Sequence, residues 1–121
     1  MIFITNVNIR DENQSTPLHW AAHGGREGLV RSLIAAGALL NLRDKDGLTP
    51  LHKAVTAFKP DVVGMVGTAG TINIRDNEGR TALHKAILRS TTGLLPQTLI
   101  DTGANVNEQD NKGLTPLHLA V

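Results

Sequence analysis

The sequence predicts an all-α solenoid. Helix pairs stack in line, joined by short β-hairpin fingers, as three full units and a truncated fourth. The first observation is a beat: Thr16-Pro17-Leu18-His19, Thr49-Pro50-Leu51-His52, Thr81-Ala82-Leu83-His84 and Thr115-Pro116-Leu117-His118. Successive Thr residues lie 33, 32 and 34 positions apart, a period that marks stacked repeats. The second is local chemistry, since each beat reads as a helix start and each unit closes on glycine. The third is composition: 40% hydrophobic but only 2% aromatic, which suits a stack built on Ala, Leu and Val.

Within each beat, Thr is a good N-cap because its hydroxyl accepts a bond from an orphan backbone N–H. Proline next to it has its φ preset and no N–H to lose. First helices are therefore expected at about 17–23, 50–57, 82–89 and 116–121. Ala21, Ala54, Ala86 and Ala120 recur within them and let neighbouring helices approach closely. A second helix follows, with Leu29, Val30, Leu33 and Ile34 forming one apolar face. Gly37, Gly70 and Gly103 close these segments. Asp46-Gly47, Glu78-Gly79 and Lys112-Gly113 mark tight turns that need φ > 0 at glycine. The units run at about 8–40, 41–72, 73–106 and 107–121, one domain over 1–121.

Departures from the period carry their own expectations. Gln14 stands where the other turns have glycine, which predicts a remodelled or mobile first finger. Gly64 and Gly67 interrupt the second helix of unit two, and Phe58 replaces a turn glycine. One residue is missing before Thr71-Ile72-Asn73 and one is gained near Ser90-Thr91-Thr92. Pro96 is expected to confine the second helix of unit three to a short run.

Charge and composition exclude several function classes. Lys and Arg number 12 against 11 acids, a net charge of +1, so no global field draws the chain to nucleic acid or membrane. The chain has no cysteine, which excludes disulfides and thiol chemistry and suits an intracellular setting. Met1-Ile2-Phe3-Ile4 is too short for a signal sequence, and no apolar run has the ~18 residues of a membrane span.

Catalytic and metal chemistry are also disfavoured. Equivalent histidines on adjacent helices stand about 8–10 Å apart, whereas zinc ligands must lie about 2 Å from one ion. His19, His52, His84 and His118 therefore cannot share a metal. The pair His19 and His23 has helical spacing, but Trp20 occupies the position where a His-Glu-x-x-His site needs its base. The glycine-rich run at 23–28 lacks the Lys-Ser/Thr of a phosphate loop. No cofactor and no enzymatic activity are expected.

The motif Asp-x-x-Gly-x-Thr-Pro-Leu-His-x-Ala, followed by Ala-Gly-Ala and Val-Asn, resembles the ankyrin repeat and recurs across nearly the whole chain. That resemblance implies a curved stack whose fingers and first helices line a concave side and whose second helices form the back. It implies structural roles for Thr16, His19, Thr49, His52, Thr81, His84, Thr115 and His118, and for Asp11, Asp44, Asp76 and Asp110 as braces of the fingers. Its expected activity is binding of a partner protein on the concave face.

On that face the resemblance puts a row of Arg10, Arg43 and Arg75, ended by Gln109, and a second row of Trp20, Lys53, Lys85 and Leu119. Lys45, Leu48, Arg80 and Arg89 join them as candidate contacts. A modestly basic groove with one Trp at its edge implies an extended or acidic protein partner. The resemblance also implies an alternative, that finger asparagines Asn41 and Asn107 are substrates of an asparaginyl hydroxylase. The chain begins at a finger and ends within a first helix, so an excised piece of a longer array is expected. Self-association through the apolar edge of Leu117, Leu119 and Val121 is the competing expectation.

Overall fold

The computed structural model describes residues 6–89 and 93–120. Expectations that fall on Ser90–Thr92 and Val121 lie outside the described residues. Seven helices follow in order: α1 (Pro17–Gly24), α2 (Glu27–Ala35), α3 (Pro50–Thr56), α4 (Pro60–Val66), α5 (Ala82–Arg89), α6 (Leu94–Thr102) and α7 (Pro116–Ala120). First helices pack on first helices, α1 on α3, α3 on α5 and α5 on α7, while α2 packs on α4. The result is an all-helical repeat stack. No strand occurs among the described residues, so the fingers are tight turns.

The helix starts form as the residues dictate. Thr16 Oγ1 accepts from the His19 backbone N–H at 3.3 Å, and His19 Nδ1 accepts from the Thr16 backbone N–H at 3.1 Å. This reciprocal capping box recurs at Thr49–His52, Thr81–His84 and Thr115–His118. One face of each helix is then buried. Leu18, Leu51 and Leu83 are at most 1% exposed, and Ala22, Ala54 and Ala86 are fully buried. Val30, Val62, Val66, Leu95 and Leu99 close the core from the second helices. Each such side chain contributes roughly 1.5–3 kcal/mol by leaving water.

Three departures resolve differently from expectation. The first finger is not remodelled: Gln14 keeps the left-handed turn at φ 61°, beside 79° at Gly47. Its N–H bonds Asp11 O at 2.9 Å, as Gly47 bonds Asp44 O. A Cβ at Gly47 would strike Arg43 Nη2 and the Asn77 amide. Beside Gln14 the next finger carries Lys45 instead of that asparagine. Arg10 also turns to Arg43 O, whereas Arg43 and Arg75 bond the glycine carbonyl of their own turn.

Pro96 does not shorten its helix. It occupies the first turn of α6, whose nine residues match α2, and the N–H that proline lacks would have had no helical acceptor there. Gly67 lies outside α4 as its C-cap, leaving Gly64 as the interior glycine. The missing residue before Thr71 is bridged by that side chain. Thr71 Oγ1 donates to Val66 O at 2.8 Å and accepts from Thr68 N at 2.9 Å, setting Ile72 into the core.

Candidate functional site

Each finger is built around its aspartate. Asp44 Oδ1 accepts the backbone N–H groups of Asp46 and Leu48, both at 2.9 Å. Asp11, Asp76 and Asp110 repeat the arrangement. The second oxygen reaches the residue after the motif His: Asp11 Oδ2 accepts from Trp20 Nε1 at 2.9 Å, while Asp44 and Asp76 pair with Lys53 at 3.4 Å and Lys85 at 3.2 Å. At the fourth finger Leu119 offers no donor, and Asp110 Oδ2 takes Arg80 Nε at 3.5 Å instead. The Trp20 indole, followed by the Ser15 N–H, holds the Asp11 carboxyl below its ordinary range. For Asp110 the Leu114 N–H is the chief cause of a like depression.

The motif histidines join one unit to the next. His19 Nε2 lies 2.8 Å from Leu48 O, His52 Nε2 3.0 Å from Arg80 O and His84 Nε2 2.9 Å from Leu114 O. A carbonyl only accepts, so Nε2 carries the proton and Nδ1 is free to accept from the Thr N–H. Burial is the main cause that pushes the imidazoles of His19 and His52 below their usual value, against the pull of their carbonyl partners. His118 keeps its capping box but is exposed.

Most of the candidate contact residues are tied into this frame. Lys53, Lys85 and Arg80 are partly buried and ion-paired, Arg80 also with Glu78 at 3.4 Å. Arg10 donates to Arg43 O at 2.9 Å, Arg43 to Asn77 Oδ1 at 3.3 Å and Arg75 to Gln109 O at 2.9 Å, so the arginine row laces successive fingers. Lys45 and Arg89 are exposed and make no side-chain bond among the described residues, and Leu48 is half-buried. Trp20, 62% exposed, shows most of its ring to solvent while its N–H is held.

Trp20 walls an open cleft between the first two units, lined also by Asn13, Ser15, His23, Asp46 and Lys53. Asn13, Ser15 and Asp46 belong to the variable finger positions that the resemblance puts on the concave face, but they are not among the candidate contacts. The signal was there: Ser15 is a small polar residue where later units carry Leu48, Arg80 and Leu114. A second, apolar hollow at the α7 end is lined by Ile87, Ile100, Val106 and Leu117, with Leu117 74% exposed.

Asn41 and Asn107 are both exposed. Asn8 and Asn73, at the same place in their units, accept backbone N–H groups of Leu39 and Asn105 at 2.9 and 2.7 Å. Asn41 has no such partner among the described residues, because the shortened segment before Thr71 turns back on Thr68. No cluster of potential metal ligands occurs among the described residues. None of their helices is long and apolar enough to cross a membrane.

Comparison with known proteins agrees with this geometry. A family model described as ankyrin repeats in three copies matches residues 1–67 and again 65–121. The FYVE zinc finger domain protein UPA1 of Mycosarcoma maydis is 42% identical over 59 residues, 48% of this chain and 5% of that protein. An ankyrin repeat-containing protein of Schizosaccharomyces pombe is 46% identical over 44 residues, 36% of this chain and 21% of its own length. Human palmitoyltransferase ZDHHC13 is 34% identical over 67 residues, 54% of this chain and 11% of that enzyme. The chain thus spans only a small part of each of these relatives. By its fold and by these matches, the chain belongs to the ankyrin repeat family.

Proposed function

We propose that this chain binds a partner protein on the face formed by its fingers and first helices, without turnover. Ankyrin repeats are in general protein-interaction modules, and the match to palmitoyltransferases is partial and confined to repeats. The observation that carries the reading is Trp20: a large, exposed ring held in one orientation by Asp11 beside an open cleft. Such pre-organised aromatic anchors dominate interface energetics.

Trp20 is the fixed anchor of the contact surface, and Lys45, Leu48 and Arg89 form its adaptable part. Arg10, Arg43, Lys53, Arg75, Arg80 and Lys85 contribute charge from positions fixed by the frame. An extended partner with acidic residues fits this row, in an intracellular setting. Affinity capture followed by calorimetry of the purified pair tests the reading. Trp20→Ala should weaken binding by about tenfold or more; unchanged affinity removes the concave face as the site.

A second reading is favoured by one specific observation, the side chain of Asn41, exposed and without a hydrogen bond among the described residues. As a substrate of an asparaginyl hydroxylase, the chain would gain one oxygen there, and Asn107 is the second target. Intact-mass analysis after incubation with such an enzyme decides it; no mass gain refutes it. The exposed Leu117 hollow supports self-association through the α7 edge. A sedimentation profile that stays monomeric at high concentration, unaltered by Leu117→Glu, would rule that out.

A further inference from the structure

The junctions between successive fingers repeat one set of main-chain bonds. The N–H after each bracing aspartate donates to the finger before it. Lys45 reaches Asn13 O at 3.0 Å, Asn77 reaches Asp46 O at 3.0 Å and Asn111 reaches Glu78 O at 2.9 Å. In the other direction each motif histidine donates to the next unit, at Leu48 O, Arg80 O and Leu114 O. A leading edge thus offers an N–H and a carbonyl, and the trailing edge it meets offers the reverse.

The two ends of the stack hold these halves unmatched. On the first finger, the Glu12 N–H has no acceptor among the described residues. Ser15 O accepts from Asp11 N alone, whereas Leu48, Arg80 and Leu114 O each accept from a histidine as well. On the fourth finger, Lys112 O has no donor among the described residues. His118 Nδ1 accepts from the Thr115 N–H, so Nε2 carries the proton and has no acceptor among them. Apolar groups follow suit: Ile9 is 58% exposed where Leu42 and Ile74 are half-buried, and Leu117 stands exposed where Leu18, Leu51 and Leu83 are buried.

Water can serve each of these groups singly. What is specific is that one end complements the other in kind and spacing. Glu12 and Ser15 keep the interval of Lys45 and Leu48, and Lys112 and His118 keep that of Asn13 and His19. Charge agrees as well. The pairing sets Glu12 against Lys112, both exposed and neither ion-paired among the described residues.

We infer that a second copy of this chain docks its first finger on the fourth finger, head to tail. Glu12 N–H of one copy donates to Lys112 O of the other, and His118 Nε2 donates to Ser15 O. Such a heterologous contact leaves a free edge at each end and so does not close at two copies. The concave face of one copy then continues into that of the next. The inference rests on the self-association reading and names the surface that the α7 edge meets.

Sedimentation of the full chain up to about 1 mM tests it, since so small a contact is weak. Average mass should climb past that of a dimer as concentration rises. Two variants block one end each without undoing the fold. Glu12→Pro removes the N–H at a turn position that suits proline. His118→Glu keeps the capping box, where Glu accepts from the Thr115 N–H, but has no donor to send forward. Each alone should weaken association about tenfold while the thermal melt stays cooperative. Mixed, they should form a pair through their intact ends that grows no further.

Growth of either variant equal to the parent chain, or a mixture that does not pair, overturns the head-to-tail contact. A parent that stops at the dimer overturns it too but leaves self-association through the α7 edge intact. A parent that stays monomeric throughout removes both.

Discussion

Trp20 donates its indole N–H to Asp11 Oδ2 at 2.9 Å, and the corresponding oxygens of Asp44 and Asp76 take Lys53 and Lys85 in the next two units. The position that varies most conspicuously along the stack therefore performs one constant job in the first three units. It braces its own finger, and what changes is the face shown to solvent: an indole ring first, ammonium groups after.

Asp11 should consequently report through Trp20. The indole bond lowers the Asp11 pKa from 3.8, so its carboxylate form is favoured in the fold. The associated stability is present above 3.8 and is lost as pH falls through the lower folded value. Trp20 emission should titrate with a midpoint below 3.8, and Asp11→Asn should abolish that step. A midpoint at the ordinary carboxylate value would contradict the bond.

The histidine ladder predicts a graded series of losses. His52 is fully buried and joins Thr49 to Arg80 O. His52→Ala leaves a cavity and two orphaned backbone groups, a loss of about 3 kcal/mol. His118 caps one exposed helix, so His118→Ala should cost only about 1 kcal/mol. Denaturant melts of the two variants measure the difference. Similar losses would show that the inter-unit bond contributes little.

The same ladder sets an acid limit. Burial lowers the pKa of His19 and His52 from 6.5, so the unfolded chain takes up protons first. Stability is full above 6.5 and declines as pH falls from there toward the folded values. Asp44, Lys53 and Arg10 act on His19, while Asp76, Lys85 and Asp44 act on His52. His52→Gln, which keeps the size and a donor, should flatten the stability profile between pH 6.5 and the folded value. A profile as steep as that of the parent chain would refute the assignment.

The turn geometry gives a coupled prediction. Gln14 holds φ 61°, so Gln14→Gly should stabilise by about 1 kcal/mol. Lys45→Asn should be harmful in the parent chain, where its amide meets the Gln14 side chain, and harmless in the Gln14→Gly background. A coupling of about 0.5–1 kcal/mol is expected from the double-mutant cycle; strict additivity would disprove the compensation.

Much of the fold was legible because the frame residues act locally. Thr16 and Pro17 specify a helix start within four residues, and the period multiplies the signal. Pro96 misled because its meaning depends on whether it falls in the first turn or the interior of a helix, which α6's start decides. Gln14 misled because the conflict at such a turn is set largely by the next finger, as Asn77 opposes a Cβ at Gly47, and beside Gln14 that finger carries Lys45, far along the chain. For the candidate face, the sequence gives charge but not pairing. Lys53 and Lys85 read as free cations, and only the fold shows each against its own aspartate. Charge reversal at those two positions would disrupt fingers as well as binding. Lys45 and Arg89, outside the frame, test function without that cost.

The central claim is that this frame presents Trp20, Lys45 and Arg89 to a protein partner. The most direct measurement is the calorimetric affinity of a captured partner for the triple variant Trp20→Ala, Lys45→Glu, Arg89→Glu. The control changes the second helices instead, at Arg31→Glu and Gln97→Lys. A loss of about a hundredfold with the first, and less than about twofold with the second, is predicted. The reverse pattern, or equal losses, would contradict the account.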